Sequence, residues 1–105
     1  QRQMCIRAAS ILLNNAIESA IDSLEKIVHV SLVQLDDRTI FVVQNSRKEG
    51  KLDLEELYQP EFSTKGENRG YGLNNIKEIL DRYEFITLDT QIEPNNFTQI
   101  LTIRR

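Results

Sequence analysis

The 105-residue chain has no tryptophan, one cysteine, one histidine, two prolines and four glycines. A lone cysteine, Cys5, forms no internal disulfide, which excludes a disulfide-stapled scaffold and points to a reducing compartment. His29 is the single histidine and falls mid-strand between Val28 and Val30, so neither a Ser-His-Asp arrangement nor a His- or Cys-based metal cluster can be assembled. Apolar runs reach only about four residues against the ~20 that span a bilayer, and no signal peptide is visible. Lys and Arg number 13 against 16 Asp and Glu, a net charge of −3, without any basic block. The electrostatic footprint of a nucleic-acid partner is therefore missing. What is present, 40% hydrophobic and 28% charged residues, suits a single domain over residues 1–105 with a two-layer core.

Between residues 4 and 24, apolar side chains at Ile6, Ala9, Leu13, Ile17, Ala20 and Leu24 step by three and four, which predicts a helix. Ile27 to Leu35 and Thr39 to Asn45 are rich in β-branched residues and flank the polar Asp36-Asp37-Arg38, so they read as a hairpin. Ser46 to Leu57 holds at most a short helical turn around Leu54 to Tyr58, stopped by Pro60, and 61–70 reads as a loop. Leu73, Ile76, Ile79, Leu80 and Tyr83 return to helical spacing, with Lys77, Glu78 and Asp81 facing water. Phe85 to Ile92 and Phe97 to Ile103 are two more strands around the turn Glu93 to Asn96. The expected fold is an α/β (α+β) two-layer sandwich, with helices on one face of a mixed, mainly antiparallel four-stranded sheet.

Three features carry chemistry. Gly66, Gly70 and Gly72 fall in one seven-residue window just ahead of a helix. Glycine allows a close backbone approach, and a helix start presents N–H groups to an anion, so a phosphate site fits. A surface loop leading into a helix fits equally, and the spacing matches neither the dinucleotide fingerprint nor Walker A. On the first helix, Asn15, Glu18 and Asp22 form a polar stripe, with Asn15 near the edge of the buried face. Its amide oxygen is a suitable hard ligand for Mg²⁺, while Asn14 and Asn15 also suit plain hydrogen bonding to backbone. Asn45 closes the second strand, where an amide can accept from an exocyclic amine and donate to a ring nitrogen, or simply serve the turn. His29 lies mid-strand on a sheet face, and Asp36-Asp37 and Glu55-Glu56 read as surface charge.

Taken in order, Leu12-Leu13-Asn14-Asn15-Ala16-Ile17-Glu18, then Val43-Gln44-Asn45-Ser46, then Phe62-Ser63-Thr64-Lys65-Gly66-Glu67-Asn68-Arg69-Gly70-Tyr71-Gly72-Leu73 resemble the N, G1, F and G2 boxes of the gyrase, Hsp90, histidine kinase and MutL ATP-binding superfamily. Nearly the whole chain takes part. Within that group the sequence is most similar to the catalytic ATP-binding domain of Gram-positive peptide-pheromone receptor histidine kinases, through Asn-Ala-Ile-Glu and the short lid.

The resemblance implies ATP and Mg²⁺ as cofactors, Asn15 as the residue holding Mg²⁺ against the phosphates, and Asn45 in place of the Asp that contacts the adenine amine. It implies that Lys65 and Arg69 bring charge to the phosphates, and that Gly66, Gly70, Gly72 and Leu73 deliver the lid and helix start. Phe62 would pack the base of the lid. The implied activity is donation of the γ-phosphate to a histidine on a separate dimerisation domain, with a response regulator downstream. The implied setting is the cytoplasmic part of an integral membrane receptor, of which this chain would be a fragment without direct membrane contact. Two departures stand out: Ile11 replaces the Glu that activates water in gyrase-like ATPases, and the glycines of the G1 pattern are missing from Asn45-Ser46-Arg47. The alternative is a non-catalytic interaction or nucleotide-sensing module on the same fold.

Overall fold

Small side chains decide how the first helix packs. In the computed structural model, which describes residues 2–48 and 76–105, helix α1 spans Arg2–Asp22. It buries Ala8, Leu12, Asn15, Ala16, Ser19 and Ala20, with Ser23 just beyond its end. These positions recur every three to four residues and form one face. The expected face is corrected: Ile6 is 60% exposed, Ile17 43% and Leu24 93%. Alanine and serine let the backbone of α1 lie close to the sheet, so its buried face is less apolar than one of its exposed flanks, and the larger side chains misdirect a reading by hydrophobicity.

Strands β1 (Val28–Gln34), β2 (Arg38–Ser46), β3 (Ile86–Ile92) and β4 (Asn96–Arg104) follow the expected hairpins within two residues at each end. They form one sheet in the order β1-β2-β4-β3. All three pairings are antiparallel, so no parallel pair of the expected mixed sheet exists among the described residues. Val43 lies opposite Val30 and Gln99, and Leu101 opposite Phe41 and Leu88. One sheet face therefore carries Val43, Asn45, Phe97, Gln99, Leu101 and Ile86, all buried. The other carries His29, Val42, Ile100 and Asp89 at alternate positions.

Residues 76–82 are helical and form the described part of α2. Ile76 and Ile79 join Leu12, Ala16, Val43, Ile86 and Leu101 in one cluster, with Leu80 and Tyr83 packed against it. Lys77, Glu78 and Asp81 are exposed, as their spacing predicts. Tyr83 meets Phe85 edge to face, with centroids 5.7 Å apart and planes at 69°, a favourable aromatic geometry. The two helices thus share one face of the sheet. Among the described residues no helix is long and apolar enough to cross a membrane.

Candidate functional site

A layer between helix and sheet is normally apolar, yet here it holds polar side chains from both walls. Asn15 comes from α1 and is only 8% exposed. Among the described residues its Nδ2 is buried without a hydrogen-bond partner. An orphaned buried donor costs about 1–3 kcal/mol, so the fold carries a local penalty at this atom. Ser19 and Ser23 follow Asn15 at steps of four and are buried as well. The stripe expected from Asn15, Glu18 and Asp22 is thus rotated: Glu18 is half-buried and Asp22 exposed, and both engage other groups.

From the sheet comes Asn45, 2% exposed. The alternation of β2 puts it on the same face as Val43, beneath the helices. Its Nδ2 donates to the Ser46 carbonyl oxygen at 2.8 Å. That bond commits the nitrogen side of the amide to the backbone and leaves Oδ1 as the acceptor side. Gln99 lies on the same face, 3% exposed, and donates from Nε2 to Thr90 Oγ1 at 3.4 Å.

The end of β2 is held in place by its neighbours. Ser46 Oγ lies 2.6 Å from Ser23 Oγ, accepts from the Ile27 amide at 2.8 Å, and is backed by the Ser46 amide donating to Ile27 O at 2.9 Å. Ser23 Oγ donates to Ala20 O at 2.7 Å and accepts from the Lys26 amide at 3.0 Å. Lys26 itself sits at φ 55°, in the left-handed region that a non-glycine residue occupies only when held there. On the other side Arg47, 8% exposed, donates from Nη1 to Glu93 O at 2.7 Å and from its amide to Asn95 O at 3.0 Å. Ser46 and Arg47 are therefore structural ties at the end of β2.

Asn15 and Asn45 are thus brought to the same layer from opposite walls. Lys65, Gly66, Arg69, Gly70, Gly72 and Leu73, with Phe62, lie outside the described residues. Ser23, Ser46 and Gln99 were not singled out as buried polar groups by sequence reasoning. The signal for Ser23 was its position eight residues after Asn15, on the same helix face. The donor set fits a magnesium ion held mainly by phosphate oxygens: Asn15 offers one amide oxygen, and its unpartnered Nδ2 suits a ligand oxygen beside it.

Solved structures share this architecture. The catalytic domain of histidine kinase ThkA in a nucleotide-free form superposes with a TM-score of 0.73 at 23% identity, over 99% of this chain and 69% of that chain. A second nucleotide-free form gives 0.74 over 99% and 68%. A mycobacterial sensor histidine kinase, MprB, gives 0.71 at 18% identity over 99% and 72%. At these identities the likeness is one of fold. Among curated proteins none matches the sequence. The family model described as the GHKL domain matches residues 3–104, nearly the whole length, and on that match the chain belongs to the GHKL domain family.

Proposed function

We propose that this GHKL domain binds MgATP between its helices and sheet and donates the γ-phosphate to a histidine on a separate dimerisation domain. The observation that carries the reading is Asn15 Nδ2, buried on the helix wall without a hydrogen-bond partner among the described residues, while Asn45 is buried on the sheet wall of a layer that packing alone would fill with apolar groups. In this reading Asn15 holds the metal and Asn45 Oδ1 accepts from the exocyclic amine of adenine. Lys65 and Arg69 stand near the phosphates, and Gly66, Gly70, Gly72 and Leu73 form the approach to the second helix. Magnesium would neutralise charge on the phosphate oxygens. Catalysis is then positioning and electrostatic stabilisation, as phosphoryl transfer demands.

His29 is not the acceptor. It occupies β1 opposite Gln44, on the sheet face turned away from the helices, whereas Asn15 is on the helix side. The proposed context follows from Asn-Ala-Ile-Glu and the short lid: the cytoplasmic portion of a membrane receptor for a peptide pheromone, acting through a response regulator in quorum sensing.

Calorimetric titration with MgATP, and with ATP in EDTA, tests the reading. The expected result is saturable, metal-dependent binding and a higher melting temperature, since a ligand at 100 times its Kd adds about 2.7 kcal/mol to stability. Flat titrations at millimolar nucleotide would leave the interaction module as the function.

A further inference from the structure

Strand β4 turns Phe97, Gln99, Leu101 and Ile103 toward the helices. All but one of these are apolar, and the exception, Gln99, is an amide only 3% exposed. Among the described residues its side chain makes one hydrogen bond, from Nε2 to Thr90 Oγ1 at 3.4 Å. That is longer than the roughly 2.7–3.2 Å of a good N–H···O bond, and it does not use the second Nε2 hydrogen. An aliphatic side chain in the same place would fill the layer without burying an amide, which is unfavourable unless its hydrogen bonds to water are replaced. Packing alone therefore gives no reason for a glutamine here.

Register places Gln99 between Val43 on β2 and Thr90 on β3. Asn45 follows Val43 by two residues on the same face, so it is the diagonal neighbour of Gln99. Such positions lie about 7–8 Å apart, within reach of long side chains. The two amides differ in what holds them. Asn45 Nδ2 donates to the Ser46 carbonyl at 2.8 Å; a carbonyl only accepts, so this amide has one orientation, with Oδ1 as its free side. Thr90 offers a hydroxyl, which donates as well as accepts, so the Gln99 amide can present either nitrogen or oxygen to a ligand.

We propose that Gln99 is the second base-reading residue of this domain, its amide meeting the ring nitrogen next to the exocyclic group that Asn45 contacts. The proposal rests on the MgATP reading and adds a residue to it. Along the adenine edge the exocyclic amine donates and the neighbouring ring nitrogen accepts. Asn45 Oδ1 satisfies the first and Gln99 Nε2 the second. Guanine carries an N–H at that ring position, which Gln99 Oε1 accepts equally well. The choice between the two bases therefore stays with Asn45, whereas Gln99 supplies affinity for the ring edge.

A nucleotide in which C–H replaces that ring nitrogen, 1-deaza-ATP, isolates the contact. ATP, 1-deaza-ATP and GTP, each with Mg²⁺, are titrated into the 105-residue chain and into Gln99→Met, whose apolar side chain has a similar length. The wild type should bind 1-deaza-ATP about ten-fold more weakly than ATP, the worth of one hydrogen bond. Gln99→Met should bind ATP about ten-fold more weakly than the wild type does, bind 1-deaza-ATP at least as well, and keep the preference for ATP over GTP. A wild type that does not distinguish ATP from 1-deaza-ATP would overturn the proposal without any variant. So would a Gln99→Met variant that weakens both nucleotides equally or leaves both unchanged, which would make Gln99 a packing residue while MgATP binding stands. A wild type that binds none of the three would instead overturn the MgATP reading and this proposal with it.

Discussion

Ser23 and Ser46 meet hydroxyl to hydroxyl at 2.6 Å, fastening the residue after α1 to the last residue of β2. Both are nearly inaccessible to water, so no solvent molecule replaces this contact when one hydroxyl is removed. Ser46→Ala should destabilise the fold by about 1–3 kcal/mol, because the Ile27 amide loses the hydroxyl it donates to and Ser23 Oγ loses one of its three contacts. The double variant Ser23→Ala/Ser46→Ala should cost less than the sum of the single ones. Urea denaturation of the four proteins measures both quantities.

Asn15→Leu separates fold from function. Replacing an amide with an orphaned Nδ2 by an apolar side chain of similar size removes a penalty of about 1–3 kcal/mol, so the ligand-free variant should melt no lower than the wild type. Metal-dependent nucleotide binding should be lost. A variant that melts lower and binds MgATP unchanged would make Asn15 a packing residue.

At Asn45 the two roles of one amide are distinguishable. Asn45→Asp keeps an acceptor for the exocyclic amine but cannot donate to Ser46 O. It should therefore retain preference for adenine over guanine nucleotides while losing about 1–3 kcal/mol of stability. Asn45→Leu should lose the preference. Competition between ATP and GTP in the titration reports the outcome.

Leu101 lies at the centre of the cluster with no exposed surface. Leu101→Ala should cost about 2–5 kcal/mol and leave the ratio of ATP to GTP affinity untouched, as chemical denaturation and competition binding will show.

Phosphate transfer should need a second component. Radiolabelled MgATP should leave the 105-residue chain unlabelled and label a dimerisation domain supplied from the same polypeptide, because reacting atoms must come within about 3–3.5 Å and His29 is fixed in β1. Label on the chain itself, removed by His29→Ala, would place the acceptor here.

The strands were readable because Val, Ile and Thr cluster between turns, and the β1–β2 and β3–β4 pairings followed from the short hairpin connections, whereas the antiparallel β2–β4 pairing joins distant segments that no local pattern links. Asn45 was readable from its place after an apolar run. The orientation of α1 was not. Hydrophobicity pointed to Ile6, Ile17 and Leu24, whereas packing against β2 selected Ala8, Ala16, Ala20 and the serines, whose value lies in their size. The Ser23–Ser46 link joins positions far apart in sequence, and no local pattern announces it. Gln99 sits inside a strand whose alternation is otherwise apolar, and only the register with Val43 and Thr90 gives it a reason to be buried.

The β2–β4 ladder, from Arg38↔Arg104 to Ser46↔Asn96, has a consequence for how such domains diversify. It clamps both ends of a single long excursion of the chain, running from the end of β2 through α2 and β3 to the start of β4. Once the clamp has formed, lengthening that excursion costs little, since doubling a loop adds only about 0.6 kcal/mol of closure entropy. Insertions and deletions between β2 and α2 can therefore accumulate without disturbing the position of Asn45, and relatives are free to differ in the size of that segment while keeping the same sheet.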